Sequence, residues 1–228
     1  DRFFSASSDG SWRLWDKSQT NNNNGRHEVR FESTYEKFVG SKVDVVRVDK
    51  GFLFCGYETP EPSLGDVVVG QIQAWNLSSP AAQPMSFHLN KVHTPWSAST
   101  GIKALLTLDD PNIQNSVLVV SGAANGVINI WRFDPAIQGF KVLATLVGHA
   151  RDITCFCSCN GSLWSGSLDS CLRIWDLSAA CSGNPAPSGG DYCVGIIKPN
   201  VDGSNPESHN MQITSLLNFE INDIPYIL

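Results

Sequence analysis

The stretch Leu172-Arg173-Ile174-Trp175-Asp176 decides the fold of this chain, because versions of it occur four times. The other three copies are centred on Trp15, Trp75 and Trp131. A short pattern that returns every few tens of residues is the signature of a repeat architecture, in which each unit stacks on its neighbours.

The last copy belongs to a predicted meander of four short strands. Two runs, Ile153–Cys159 and Ser162–Ser167, flank the turn Asn160-Gly161. A third run ends at Leu177 and a fourth covers Tyr192–Ile197. Short runs rich in Val, Ile, Trp and Thr between Asn-Gly or Asp-containing turns favour hairpins over helices. The sequence therefore predicts an all-β chain.

Polar residues stand at fixed distances from these strands. Three copies have one six positions before the tryptophan: Asp9, Asn125 and Asp169. The second copy has Val69 at that place. Upstream, His149 stands four residues before Ile153, and His209 stands four residues before Ile213. Matched offsets in separate copies are harder to obtain by chance than a single Trp-Asp dipeptide.

These features resemble the WD40-repeat β-propeller family, whose repeats are four-stranded blades that begin with Gly-His and end with Trp-Asp. In this chain the two motifs are Gly148-His149 and Trp175-Asp176. The resemblance implies a WD40-type β-propeller in which residues 1–228 form a single repeat region. Its expected units are 1–16 (partial), 40–77, 92–134, 148–177 and 208–228 (partial).

Two segments resemble, more narrowly, the plant-type CCCH zinc-finger proteins that carry a WD40 propeller. The first is Val67–Gly70 with Ala74–Asn76, and the second is Gly166–Ser170 with Arg173–Trp175. No Cys-Cys-Cys-His finger is visible in the sequence itself.

The two ends of the sequence bear on the expected number of blades. The chain begins inside a strand-like run, Phe3–Ser7, and stops at Tyr226–Leu228, where another strand begins. Propellers close with about four to eight blades of roughly 40–45 residues each, and seven is usual in the family. We therefore expect a partial ring of about four to five blades' worth of sheets, a fragment of a seven-bladed propeller.

Composition restricts the class of partner. The chain has a formal net charge of −6, and its 16 basic residues are scattered. Nucleic-acid binding rests on clustered Lys and Arg, so we expect no direct nucleic-acid binding by this segment. No apolar run reaches the roughly 18 residues that a membrane span needs. The seven cysteines are an odd set and favour a reducing compartment, the cytoplasm or the nucleus.

Three cysteines, Cys155, Cys157 and Cys159, alternate along one predicted strand, with Cys171 nearby. Side chains two residues apart on a strand are separated by nearly 7 Å. That spacing does not suit neighbouring thiolates around one tetrahedral metal ion. We therefore expect buried strand cysteines, with no metal and no cofactor.

A histidine, a serine and an aspartate could be mistaken for a hydrolase triad: His149, Ser167 and Asp169. The family resemblance implies instead a buried hydrogen-bond relay from a tryptophan through a hydroxyl and an imidazole to a carboxylate. Here the relay would consist of His149, Ser165 or Ser167, Asp169 and Trp175. Matching offsets assign the corresponding positions in other units to Asp9, Trp15, Asn125, Trp131 and His209. We expect no catalytic residue.

The resemblance implies a non-catalytic scaffold that binds other proteins or peptides on the top face of the propeller. The residues expected on that face are Ala150, Arg151, Asp152, Leu168, Ser8 and Ala124. Trp96 lies in a linker and is a further candidate partner anchor, although packing against a blade edge is the competing interpretation. Four predicted loops separate the units: Asn21–Asn24, Glu58–Gly65, Ser182–Gly190 and Pro199–Asn210.

Two other functions remain open. The propeller could recruit partners within an RNA-associated CCCH zinc-finger protein, or it could be the substrate receptor or adaptor of a ubiquitin ligase.

Overall fold

A computed structural model describes residues 2–21, 27–60, 68–79, 81–88, 100–182, 192–198, 212–221 and 224–227. Within these ranges the chain forms β-strands and one five-residue helix, which confirms the all-β prediction. None of the helical structure in these ranges is long and apolar enough to cross a membrane.

Consecutive strands pair antiparallel in groups that we call sheets 1 to 5. Sheet 1 contains β1 (Arg2–Ala6), β2 (Ser11–Asn21) and β3 (His27–Phe38). Sheet 2 contains β4 (Val43–Asp49), β5 (Phe52–Pro60), β6 (Val68–Asn76) and β7 (Met85–His88). Sheet 3 contains β8 (Ile102–Asp109), β9 (Val117–Ala123), β10 (Ile128–Asp134) and β11 (Gly139–Leu146).

Sheet 4 contains β12 (Ile153–Cys159), β13 (Ser162–Ser167), β14 (Leu172–Asp176) and β15 (Cys193–Ile197). A short helix, α1 (Leu177–Cys181), follows β14, and the Asp176 side chain caps it by accepting from the Ala179 N–H. Sheet 5 is the hairpin of β16 (Asn218–Ile221) and β17 (Ile224–Ile227). Helix α1 is not predicted from the sequence.

The four tryptophans occupy one register position. Each lies opposite an apolar residue of the preceding strand: Trp15 opposite Phe3, Trp75 opposite Leu53, Trp131 opposite Val119 and Trp175 opposite Leu163. The first two strands of sheets 2, 3 and 4 also share a β-bulge: it falls at Val43/Val45, Ile102/Ala104 and Ile153/Cys155. In sheets 2, 3 and 4 the tryptophan lies on the third strand. Since Trp15 lies on β2, strand β1 corresponds to the second strand of those sheets.

Turns alternate between two edges of each sheet. We call the edge with the turn between second and third strands the top face, and the edge with the other turns the bottom face. In sheet 4 the top face carries Leu168–Ser170 and the bottom face carries Asn160-Gly161. Segments that lead into the first strands also lie at the top face.

Glycines set the distance between successive sheets. Gly56, Gly122 and Gly166 occupy the same position of the second strand, as their pairing shows. A Cβ at Gly122 would lie 2.5 Å from the Cβ of Ile153, the first residue of the next sheet. A Cβ at Gly56 would similarly meet Ile102, and one at Gly166 would meet Ile213. Absence of a side chain therefore lets each sheet close on an isoleucine that comes later in the chain.

Sheets 2 and 3 are joined by an additional pairing. Strand β7 pairs with β6 through only two residues and then runs parallel to β11. The rings of Phe87 and Phe140 stack there, with centroids 4.5 Å apart and an interplanar angle of 4°. The two sheets therefore form one eight-stranded sheet.

Two predicted loops begin inside strands. Asn21 is the last residue of β2, and Glu58–Pro60 belongs to β5, where Pro60 pairs with Val68. Val69 likewise lies within β6 rather than in a turn. The hairpin of the second and third strands (β1 and β2 in sheet 1) pairs nine residues in sheet 2 and five in each of sheets 1, 3 and 4. Its turn therefore does not fall six residues before Trp75. The other residues of the four predicted loops lie outside the described ranges, except Ser182.

Candidate functional site

Sheet 4 contains a continuous chain of hydrogen bonds that begins at Trp175. The indole Nε1–H donates to Ser165 Oγ over 2.8 Å, and Ser165 Oγ lies 2.8 Å from His149 Nε2. On the other side of the ring, His149 Nδ1 lies 2.9 Å from Asp169 Oδ2. A proton on Nδ1 and a serine hydroxyl donating to Nε2 satisfy every partner in this arrangement.

Of the two serines considered from sequence, Ser165 lies in this chain of hydrogen bonds. Ser167 is also buried, but its hydroxyl donates to the Arg151 carbonyl over 3.2 Å and accepts from the Asp169 N–H. The two serines stand two positions apart on β13 and so point to the same side of the strand. The sequence pattern alone therefore does not distinguish them. Ser167 connects the turn after β13 to the segment before β12.

Asp169 has both carboxylate oxygens engaged. Oδ2 accepts from the Ala150 N–H and from His149, and Oδ1 accepts from the Cys171 N–H over 2.8 Å. Burial by itself would raise the pKa of this carboxyl group, but the two backbone donors and the imidazole outweigh it and lower the pKa. Asp169 is therefore held as a carboxylate.

His149 is held in its neutral form. Burial disfavours the imidazolium and lowers the pKa of His149, and the nearby Arg173 guanidinium adds to this effect. The hydrogen bond to Asp169 opposes the shift without reversing it. A neutral imidazole can accept at Nε2 while donating from Nδ1, as the chain of hydrogen bonds requires.

This cluster presents no accessible nucleophile. Ser165 has no exposed surface, and its oxygen already accepts from Trp175 and contacts His149. A hydrolytic triad needs a serine that a substrate carbonyl can reach. The arrangement can instead hold the turn after β13 against the segment before β12.

In sheets 1 and 3 the tryptophan and serine are joined in the same way. Trp15 Nε1 donates to Ser5 Oγ over 2.8 Å, and Trp131 Nε1 donates to Ser121 Oγ over 2.7 Å. Ser5 and Ser121 are not among the residues predicted from sequence, although both stand ten residues before their tryptophan, as Ser165 does. That shared offset was the signal that could have found them.

Asp9 and Asn125 have a more local role than Asp169. The side chain of Asp9 accepts from the Ser11 N–H over 2.8 Å, and that of Asn125 accepts from the Val127 N–H over 3.1 Å. Such bonds, two residues along the chain, define Asx turns. No histidine bonds to either side chain within the described ranges.

Sheet 2 departs from this pattern. Its pairing places Cys55 opposite Gln73, the position that Ser165 occupies opposite Arg173 in sheet 4. Cys55 is fully buried, and Trp75 Nε1 has no hydrogen-bond partner among the described residues. A thiol thus replaces the hydroxyl that accepts from tryptophan in the other sheets.

The expected partner-binding residues of sheet 4 surround the relay on the top face. Ala150 and Arg151 are exposed, and Asp152 and Leu168 are half-buried. The Leu168 N–H donates to the Asp152 carbonyl over 3.0 Å, and Arg151 Nη1 donates to the Leu168 carbonyl over 3.4 Å. These bonds fix the backbone from which the Arg151 side chain projects.

The other predicted site residues do not lie beside the relay of sheet 4 in the described structure. Ser8 is exposed in the turn before β2, and Ala124 is half-buried in the turn after β9, so each lies at the top face of its own sheet. His209 and Trp96 lie outside the described ranges.

The seven cysteines are all free thiols. Burial raises the pKa of Cys157 to about 11 and also raises the pKa of Cys155. Across the described ranges, no group of three or more His, Cys, Asp or Glu side chains is arranged to hold a metal ion.

Residues 140–176 match the family profile "WD domain, G-beta repeat". This segment is a WD40 repeat. The matched segment runs from β11 to β14, so the sequence repeat contains the last strand of sheet 3 and the first three strands of sheet 4. Its Gly-His and Trp-Asp motifs therefore belong to one structural blade.

Two curated proteins are similar to most of this chain. The chain is 27% identical over 180 residues to zinc finger CCCH domain-containing protein 62 of Arabidopsis thaliana, covering 78% of this chain and 34% of the relative. It is 24% identical over 178 residues to zinc finger CCCH domain-containing protein 17 of Oryza sativa subsp. japonica, covering 78% and 32%. The chain thus spans about a third of the length of these curated relatives.

The WD40 β-propeller domain of Doa1 has a similar fold, with a TM-score of 0.55 and 14% sequence identity. The alignment covers 95% of this chain and 54% of that domain's chain. The expected propeller fold is therefore confirmed.

Proposed function

We propose that this chain is a non-catalytic WD40 scaffold that binds a partner protein or peptide on its top face. The relay of sheet 4 carries this proposal. A cluster with the composition of a hydrolase triad has its serine fully buried and its carboxylate saturated with donors. Those side chains support the fold, which leaves the rigid top face as the functional surface.

Arg151 is the main candidate for partner contact. Its backbone carbonyl accepts from Ser167, and the flanking Ala150 N–H donates to Asp169 over 2.9 Å. The segment is therefore pre-organised, which lowers the entropic cost of binding. Arginine is enriched among the residues that dominate interface energies.

Another cation of the top face is already engaged within the molecule. Lys103 Nζ lies 2.8 Å from Asp44 Oδ2 and 3.3 Å from Glu58 Oε2, so it links sheet 3 to sheet 2. This contrast makes Arg151, rather than Lys103, the cation offered to a partner.

Affinity capture with quantitative mass spectrometry tests the proposal, with Arg151→Glu compared against Lys141→Glu. Lys141 lies on β11 with a side chain 56% exposed, away from the turns of the top face. We expect Arg151→Glu to lose specific partners that wild type and Lys141→Glu both retain. Identical partner sets for all three proteins would contradict the proposal.

A second candidate follows from the two CCCH relatives. In this reading the propeller recruits proteins within a parent that contacts RNA through a zinc finger encoded elsewhere in its reading frame. The reading frame of the full-length protein tests this candidate directly, because it must encode a motif of three cysteines and one histidine. Partner capture that survives ribonuclease treatment would further indicate that this segment binds protein rather than RNA.

We place the protein in the cytoplasm or nucleus, where seven free thiols remain reduced.

A further inference from the structure

One turn at the bottom face is much longer than its equivalents. The first two strands are joined by Lys50-Gly51 in sheet 2 and by Asn160-Gly161 in sheet 4. In sheet 3 the same connection is Asp110–Ser116. Two residues are enough to join these strands, so the additional length of this loop is not required by the blade.

The loop is held in place from three sides. The buried carboxylate of Asp110 accepts from Arg132 Nε over 2.6 Å and from Arg132 Nη2 over 3.1 Å. Asn112 Nδ2 donates to the Cys181 carbonyl at the end of α1, and Lys50 Nζ donates to the Ser116 carbonyl over 3.1 Å. Sheets 2, 3 and 4 each contribute one of these anchors, so the loop is a pre-organised wall.

Between this loop and sheet 2 lies a cavity of about 410 Å³, which we call the bottom pocket. This volume falls within the range of roughly 300–1,000 Å³ that is typical of ligand sites. Apolar and aromatic side chains form most of its lining: Phe52, Ile113, Val117, Phe133, Pro135 and Phe140. Ile113 is 46% exposed at the rim, whereas Phe140 is almost completely buried.

The charge of the bottom pocket indicates which ligand would fit. Among the described residues that line it, Lys50 alone is charged, and Gln114, Asn115 and Ser116 supply the polar groups. The ammonium of Lys50 pairs with Asp109, whose side chain is 87% exposed. The Lys50 side chain is 31% exposed, but its partner carboxylate lies almost fully in solvent, so the pair contributes little. A ligand carboxylate can therefore take the place of Asp109.

We propose that the bottom pocket binds a segment of a partner protein in which a large apolar side chain stands beside an aspartate or glutamate. The apolar side chain packs on Phe52, Ile113 and Phe133, and the acidic side chain pairs with Lys50. This site lies on the face opposite Arg151, so it does not depend on the top-face proposal.

A random heptapeptide library displayed on phage tests the proposal, with the 228-residue chain as target. Sequences that carry an apolar residue adjacent to Asp or Glu should be enriched. A synthetic peptide from that set should bind Ile113→Asp at least tenfold more weakly than wild type. Ile137→Asp is the matched control, because Ile137 is 45% exposed on the same face but does not line the pocket.

Charge reversal at Lys50 provides a second readout. Lys50→Glu should lose the acidic peptides and instead select peptides with Lys or Arg beside the apolar residue. Thermal melting of each variant checks that the fold is retained, and Arg151→Glu should bind the selected peptides like wild type. Enrichment without acidic residues, equal binding to Ile113→Asp and Ile137→Asp, or loss of binding in Arg151→Glu would each overturn the proposal.

Discussion

Sheets 2 and 4 bury the same tryptophan in the same register but satisfy it differently. In sheet 4, Trp175 donates to Ser165 and through it connects to His149 and Asp169. In sheet 2, Cys55 replaces the serine, and Trp75 Nε1 has no partner among the described residues. Yet Trp75 is only 2% exposed and Trp175 only 1%.

This difference distinguishes two contributions to the structure of a blade, apolar packing and the polar relay. Apolar packing of the tryptophan is common to both sheets and is sufficient to position it. The polar relay is additional, and it connects strand packing to the turn that forms the top face. Sheet 4 is therefore expected to have a better fixed top face than sheet 2, at the cost of several buried polar groups that must all remain paired.

The largest loss of stability is expected at the glycine position that sheets 2 and 4 share. Gly56→Val and Gly166→Val should each destabilise the chain by about 3 kcal/mol, because the new side chain meets Ile102 in the first case and Ile213 in the second. Urea denaturation monitored by tryptophan fluorescence measures the loss. Wild-type stability in either variant would show that the sheets do not depend on this close approach.

Removing the carboxylate of the relay should affect sheet 4 specifically. Asp169→Ala leaves the imidazole Nδ1 and the Ala150 N–H without their acceptor and should cost about 1–3 kcal/mol in the free energy of unfolding. Asp9→Ala is the matched control, since Asp9 makes a local turn without a histidine partner. Its loss should be smaller, and equal losses in the two variants would argue against a role for the imidazole.

A reciprocal exchange tests the serine position directly. Cys55→Ser should stabilise sheet 2 by about 1 kcal/mol by giving Trp75 Nε1 an acceptor. Ser165→Cys should weaken sheet 4 by a similar amount, since it breaks the bonds to both Trp175 and His149. Denaturation midpoints measure both changes. A Cys55→Ser variant no more stable than wild type would mean that a hydroxyl there does not reach the indole.

The smallest effect concerns pH. Burial lowers the pKa of His149 in the folded state, so the unfolded chain takes up a proton first as the pH falls through about 6.5. Stability should therefore decline from pH 7.5 to pH 5.5. Asp169, whose pKa is also lowered, should add a further decline nearer pH 4. His149→Asn should lack the first decline, and an unchanged pH profile in that variant would assign the effect to another group.

The tryptophan-centred pattern predicts the four-stranded meander of sheet 4 and points to a relay beside Trp175. It did not distinguish Ser165 from Ser167, because both occupy alternate positions on one strand and only their partners differ. The offset of ten residues from Trp75 falls on Gly65 and not on Cys55. The hairpin of sheet 2 is longer, so strand pairing, rather than chain offset, identifies the equivalent residue.

Two further features depend on tertiary packing. Strand β7 has only four residues, and their sequence does not indicate that the strand leaves β6 to pair with β11. The bottom pocket likewise requires residues from two sheets and one loop that are far apart in the chain. Neither has a local pattern that sequence reasoning can detect.

The parallel contact between β7 and β11 has a consequence for how the molecule opens. In a stacked repeat, each unit usually contacts only its neighbours through side chains, and opening can stop at the boundary between units. Here a backbone ladder crosses that boundary at Phe87 and Phe140. Sheets 2 and 3 should therefore exchange their slowest amide hydrogens with a common opening free energy, as one cooperative unit, while sheet 4 can open separately.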